Sequence, residues 1–226
     1  MEEFILSNGS LRLECQPGWP GICGLSLQGG PNLFAELQGL EPVRTPWGNY
    51  HFRGGHRLWH APETKPRTYI PPGEGVTITR TGSGLLIEQP AEPWTGIARR
   101  IEVRLGAGAE ATIDHQLCNT GAWAVELAPW AITMLRPGGT AILPQPSGPQ
   151  DPHGLLPNRH LVFWPYTRLD DPRLSLADDA LLVSAGGGAQ PFKIGYDDQP
   201  GWLGYWLEGT LFIKRFTPRP GLPLPD

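Results

Sequence analysis

Short runs of alternating apolar and polar residues recur along the whole chain. Phe4–Ile5–Leu6 opens, Asn8-Gly9 marks a turn, and Leu11-Arg12-Leu13-Glu14-Cys15 follows at period two, the spacing that sends successive side chains to opposite faces of a strand. ICGLSL (22–27) and NLFAEL (32–37) read as two more strands after the Gly18-Trp19-Pro20-Gly21 turn. VTITR, LLIEQ, IARRIEVRL and ATIDHQLC come next. In the third of these Ile101, Val103 and Leu105 alternate with Glu102 and Arg104, so one face is wet. AVELAPW, AITMLR, TAILPQP, HLVFWPY, ALLVSA, PFKIGY, WLGYWLEG and TLFIKRF bring the total to about fifteen short strands, the pattern of a sandwich or barrel. Residues 174–185 fit a hairpin as well as a helical turn. Residues 144–158 read as a Pro-rich surface loop, and residues 41–75 lack a clean period.

Composition narrows the class further. Gly 30 and Pro 26 among 226 residues leave almost no helix-length window, which excludes a helical bundle. The apolar runs and nine tryptophans exclude a disordered chain. Neither a second composition regime nor a fixed-period repeat is visible, so one domain over residues 1–226 is expected. A net charge of −4 offers no basic stripe for nucleic acid. No apolar run approaches the ~18–20 residues that span a bilayer, and MEEFILSNGS lacks the basic and apolar regions of a signal peptide. Cys15, Cys23 and Cys118 are odd in number and not spaced for zinc, so free thiols in a reducing cytoplasm are expected.

The densest polar segment is Asn49 to Glu63. If residues 56–60 are extended, His56, Leu58 and His60 share one face while Arg57 and Trp59 share the other. Gly54-Gly55 permits a sharp turn or a close approach to a ligand. Aromatic faces beside Arg, His and carboxylate groups suit a polyhydroxylated ring, which stacks on indole and needs fixed donors and acceptors. His56, His60 and Glu63 also admit a zinc site, although Pro62 breaks any helix-borne motif. His115 lies in phase with Ile113 and Leu117, which marks it as a core or inter-sheet histidine. Asp197 and Asp198 read first as turn caps and second as sugar-binding carboxylates, and Glu92 in AEPWTG is open in the same way.

The opening SLRLECQPGWPGICGLSLQGGPNLF resembles the start of galactose-mutarotase-type proteins. GGHRLWHAPE, VTITR and HQLCNTGAWAVELAPWAITMLRPGGTAILPQP are similar to a bacterial branch of that superfamily, and KIGYDDQPGWLGYWLEGTLFIKRF continues the likeness. The resemblance implies a β-supersandwich with a carbohydrate-binding groove and no cofactor. It also implies an aldose 1-epimerase-like reaction, with Glu as general base on the anomeric hydroxyl and His as general acid on the ring oxygen. The position that aligns with the family's imidazole holds Trp130, and the chain ends at GLPLPD where further strands are expected. The acid and base then fall to His56 or His60 and to Glu63.

Arg53, Arg57, Trp59, Trp130 and Asp198 are the expected sugar contacts, for a small sugar or an oligosaccharide. A sheet short of C-terminal strands keeps an edge open, which admits a homo-oligomer. The alternatives are a sugar-binding module without turnover and a metal-dependent hydrolase built on His56, His60 and Glu63.

Overall fold

The computed structural model describes residues 4–37, 39–149, 151–188, 190–197 and 199–219. Its regular structure is strand apart from one short 3-10 turn at Arg67–Tyr69. The chain divides into two compact units at Arg136–Pro137.

The first unit begins with β1 (Phe4–Ser7), β2 (Leu11–Cys15), β3 (Gly21–Ile22) and β4 (Gly24–Leu27). The hairpin β5 (Val43–Thr45) and β6 (Gly48–Tyr50) leads to β7 (Gly55–Ala61). β8 (Thr77–Arg80), β9 (Gly84–Gln89), β10 (Ile97–Leu105) and β11 (Ala111–Asn119) form an antiparallel meander before β12 (Ala128–Met134). Hydrogen bonds join β1-β2-β4, β11-β10-β9-β8 and β12-β7-β3 into three sheets. Leu13, Ile22, Leu58, Leu85, Ile87, Ile101 and Val103, drawn from all three, pack into one core. This is the alternation of the sequence made physical: in β10 the inward set is Ile97, Arg99, Ile101 and Val103.

Every residue of β7 is buried. On one face Leu58 enters the main core, and on the other Trp59 joins Tyr50 and Tyr69 in an aromatic cluster. The segment that lacks a period in the sequence therefore holds a hairpin and the most buried strand of the unit. Period two is invisible there because both faces are covered.

Three expected strands change. Residues 32–37 make only an isolated bridge, Phe34 to Leu135. Asn32 Oδ1 accepts hydrogen bonds from the backbone N–H groups of Leu25 and Phe34, at 3.0 Å each, so a side chain takes the place of the strand ladder. AVELAPW and AITMLR do not form separate strands, because Ala128–Met134 runs through the end of one and most of the other. The Gly54 backbone passes against the Ala35 carbonyl, and Gly55, at φ 87°, against that of Ile22. The close approach is to the protein's own backbone, and neither position has room for a Cβ.

The second unit holds β13 (Thr140–Pro144), β14 (Leu161–Phe163), β15 (Leu174–Leu176), β16 (Ala180–Ser184), β17 (Ile194–Tyr196), β18 (Trp202–Leu207) and β19 (Thr210–Arg215). Five of them form the sheet β15-β16-β13-β18-β19, and β14 pairs with β17. Residues 174–184 are a hairpin, with Leu174 opposite Val183 and Leu176 opposite Leu181. Among the described residues no helix is long and apolar enough to cross a membrane.

Candidate ligand-binding site

β7 sorts its polar residues by parity. Arg57 and Trp59 lie on the aromatic face, and the Arg57 guanidinium stacks on the indole with Cζ 4.5 Å from the ring centroid. His56 and His60 lie on the face of Leu58, toward the main core.

A narrow cleft with about 10 Å³ of free space, room for about one water, is lined by Trp19, Tyr50, Arg57, Trp59, Gln89 and Arg99, with prolines and aliphatic side chains closing it. The local sequence explains each wall. Gln89 and Arg99 are directly opposed in the β9–β10 ladder, and Arg99 NH1 donates to Gln89 Oε1 at 3.1 Å. Tyr50 ends the β5–β6 hairpin and packs edge-on against Trp59, with ring centroids 5.7 Å apart. Trp19 sits in the turn before β3, and the exposed Arg53 lies over its ring at 5.3 Å.

The polar atoms of this pocket are not all satisfied. Trp19 Nε1, Tyr50 Oη, Arg57 Nε and Arg99 Nε are buried without a hydrogen-bond partner among the described residues. The Trp59 indole lies close to the Tyr50 hydroxyl without completing a hydrogen bond. A buried polar group left unpaired costs ~1–3 kcal/mol, and four of the atoms so left belong to residues that line this one pocket. Arg57 NH1 donates to the Arg53 carbonyl at 3.2 Å and lies 3.0 Å from Met134 Sδ. Among the described residues it has no carboxylate partner. Burial pulls its guanidinium below the ordinary value, with Tyr50 and Tyr69 opposing. Burial also pushes the Tyr50 hydroxyl up, against Arg57 and Arg99.

Behind Arg99 stands a buried acid and base. Arg99 NH2 is 2.6 Å from Glu92 Oε1, and the Thr95 hydroxyl donates to Glu92 Oε2 at 2.7 Å. His60 Nε2 stands 3.9 Å from the same Oε2, too far for a hydrogen bond, and neither ring nitrogen of His60 has a hydrogen-bond partner among the described residues. Burial alone would raise the Glu92 carboxyl, but His60, Arg99 and Thr95 together hold it below its ordinary value. Both His60 and Glu92 side chains are 2% exposed, so this imidazole–carboxylate pair is sealed inside the fold.

The expected site residues are thus distributed. Arg57 and Trp59 line the pocket, and Arg53 lies beside it over Trp19. Trp130 is directly opposite Trp59 in the ladder and packs against it, with centroids 5.6 Å apart. His56 Nδ1 is 2.8 Å from Thr133 Oγ1 and its Nε2 is 2.7 Å from His115 Nε2, which makes His115 an inter-sheet histidine. Glu63 lies exposed beyond β7 and accepts a hydrogen bond from the Tyr69 hydroxyl. Among the described residues no three His, Cys, Asp or Glu side chains gather to hold a metal ion. Asp198 lies outside the described residues. Asp197, in the second unit, accepts a hydrogen bond from Gln199 Nε2 at 3.2 Å, as a turn residue does.

Trp19, Tyr50, Gln89 and Arg99 were not singled out from sequence. For two of them a signal exists: Gln89 is in phase with Leu85 and Ile87, and Arg99 with Ile101 and Val103. A polar residue in the inward phase of a strand marks a buried polar site. Trp19 and Tyr50 carry no comparable mark, since a turn and an edge-strand residue look alike whether or not they meet a pocket. Comparison of the chain with protein-family models, with curated proteins and with solved structures gave no match.

Proposed function

We propose that this chain is a carbohydrate-binding β-sandwich protein of the galactose-mutarotase-like kind, whose ligand is held at the Trp19–Tyr50–Arg57 pocket and released unchanged. The observation that carries the reading is the set of four unpartnered polar atoms in a pocket with indole and phenol walls. Such a mixture of aromatic surface and fixed hydrogen-bonding groups suits a sugar. An exposed platform supports it: Trp47 stacks on Trp94 at 5.6 Å with planes 30° apart, and Trp94 is 61% exposed.

Binding without turnover is favoured over anomeric chemistry by the state of the imidazoles. General acid–base catalysis needs both groups within hydrogen-bond reach of the substrate. His60 and Glu92 are sealed, and His56 is engaged by Thr133 and His115. The test is intrinsic fluorescence titrated with a panel of hexoses, pentoses and their derivatives, alongside polarimetry of freshly dissolved α-glucose and α-galactose. A saturable fluorescence response with unchanged mutarotation rate is expected. Acceleration of mutarotation that His60→Gln abolishes would replace the binding reading with the epimerase one.

A further inference from the structure

We infer that the group seated in the pocket is an oxyanion, a carboxylate or phosphate carried by the sugar. The inference rests on the carbohydrate reading for the body of the ligand, and on the pocket alone for its charge.

The chemistry of the unpartnered atoms points one way. Trp19 Nε1, Arg57 Nε and Arg99 Nε can only donate, and the Tyr50 hydroxyl is able to. Among the lining side chains the acceptor-only oxygen is Gln89 Oε1, and it already accepts from Arg99. A neutral hydroxyl brings its own proton and needs an acceptor for it. A carboxylate or phosphate brings acceptors only, and charge-assisted bonds to guanidinium are the stronger kind.

Charge gives the same answer independently. Arg57 and Arg99 both line the pocket, while Glu92, behind it, is paired with Arg99. Arg57, 5% exposed, is left as a buried cation without a counter-charge among the described residues. The free space between these side chains is about 10 Å³, room for about one water, so they must part to admit a carboxylate or phosphate. The donors are shut off from solvent, so rim side chains move when the ligand enters. Exposed Arg53, stacked over Trp19, is the cation that meets it first.

The test titrates the protein, by calorimetry and by tryptophan fluorescence, with methyl glucoside, glucuronate, galacturonate, glucose 6-phosphate, acetate and inorganic phosphate. An acidic sugar is expected to bind at least ~10-fold more tightly than methyl glucoside, with affinity falling as salt rises. Tyr50→Phe keeps the ring and removes an unpartnered hydroxyl. It should fold with an unchanged or higher Tm and lose ~10-fold in affinity for the acidic sugar, and Arg57→Gln should lose more. Methyl glucoside binding as tightly as the acids would overturn the oxyanion while leaving the carbohydrate reading intact. Acetate or phosphate binding as well as any acidic sugar would uphold the oxyanion and remove the sugar. No response to any anion would overturn the inference, as would wild-type affinity in folded Tyr50→Phe and Arg57→Gln together.

Discussion

The Nε2 atoms of His56 and His115 lie 2.7 Å apart across two sheets. One ring must donate and the other accept, so the pair holds a single proton between them. Thr133 Oγ1, 2.8 Å from His56 Nδ1, fixes the other end of the same ring.

That arrangement makes His115 a structural residue. His115→Leu would remove the hydrogen bond at His56 Nε2 and cost about 1–3 kcal/mol in urea unfolding. It should leave the ligand response of tryptophan fluorescence unchanged. A stable His115→Leu protein with altered ligand response would place the pair in the binding site.

Glu92 gives the acid limb of stability. Its carboxyl is held below the ordinary value of 4.5 in the folded chain, so the unfolded chain takes up the proton first. Its contribution is complete above 4.5 and is lost as pH falls through the lower folded value. Glu92→Gln should flatten that part of the curve of unfolding free energy against pH. It would also leave the Arg99 guanidinium buried without its carboxylate, at a cost of ~3–5 kcal/mol near neutral pH. Equal stability of variant and parent at pH 7 would contradict the buried pair.

The cysteines should separate cleanly by reactivity. Cys15 is fully buried, and burial, with Cys23 nearby, pushes its thiol up to about 12, whereas Cys118 is exposed. Iodoacetamide added to the folded protein should modify Cys118 first and leave Cys15 unmodified until the chain is denatured. Peptide mass spectrometry reads the order directly, and early labelling of Cys15 would be inconsistent with the core described.

Gly55 offers a test of the backbone at β7. A Cβ there would meet the Ile22 carbonyl, and φ of 87° is unfavourable for any other residue. Gly55→Ala should destabilise by more than the ~1 kcal/mol of an ordinary Gly-to-Ala strain. Gly9→Ala is the control, because no atom lies within 4 Å of its Cβ although φ is similar, at 88°.

Much of the fold was legible because exposed and buried faces alternate. LRLEC, LLIEQ and IARRIEVRL all form strands with the expected parity. The parity reading of residues 56–60 also holds, and it divides the expected cluster: Arg57 and Trp59 reach the pocket while His56 and His60 turn inward. What sequence could not give was the partner of each inward polar residue. Glu92 reaches Arg99 through a hairpin turn, and Tyr50 meets Trp59 only when two sheets and a loop come together. NLFAEL misleads for a local reason, since its Asn32 side chain supplies hydrogen bonds that its strand pattern assigned to a neighbour.

The most direct test of the account is the indole N–H region of a 15N–1H correlation spectrum recorded during addition of an acidic sugar. Nine tryptophans give nine indole probes, and Trp19→Phe and Trp59→Phe assign the two that line the pocket. Saturable movement of the Trp19 resonance, with the half-saturating ligand concentration raised ~10-fold in Tyr50→Phe, is the predicted result. A Trp19 resonance that stays fixed while other indoles shift would place the ligand elsewhere and contradict the pocket as the site.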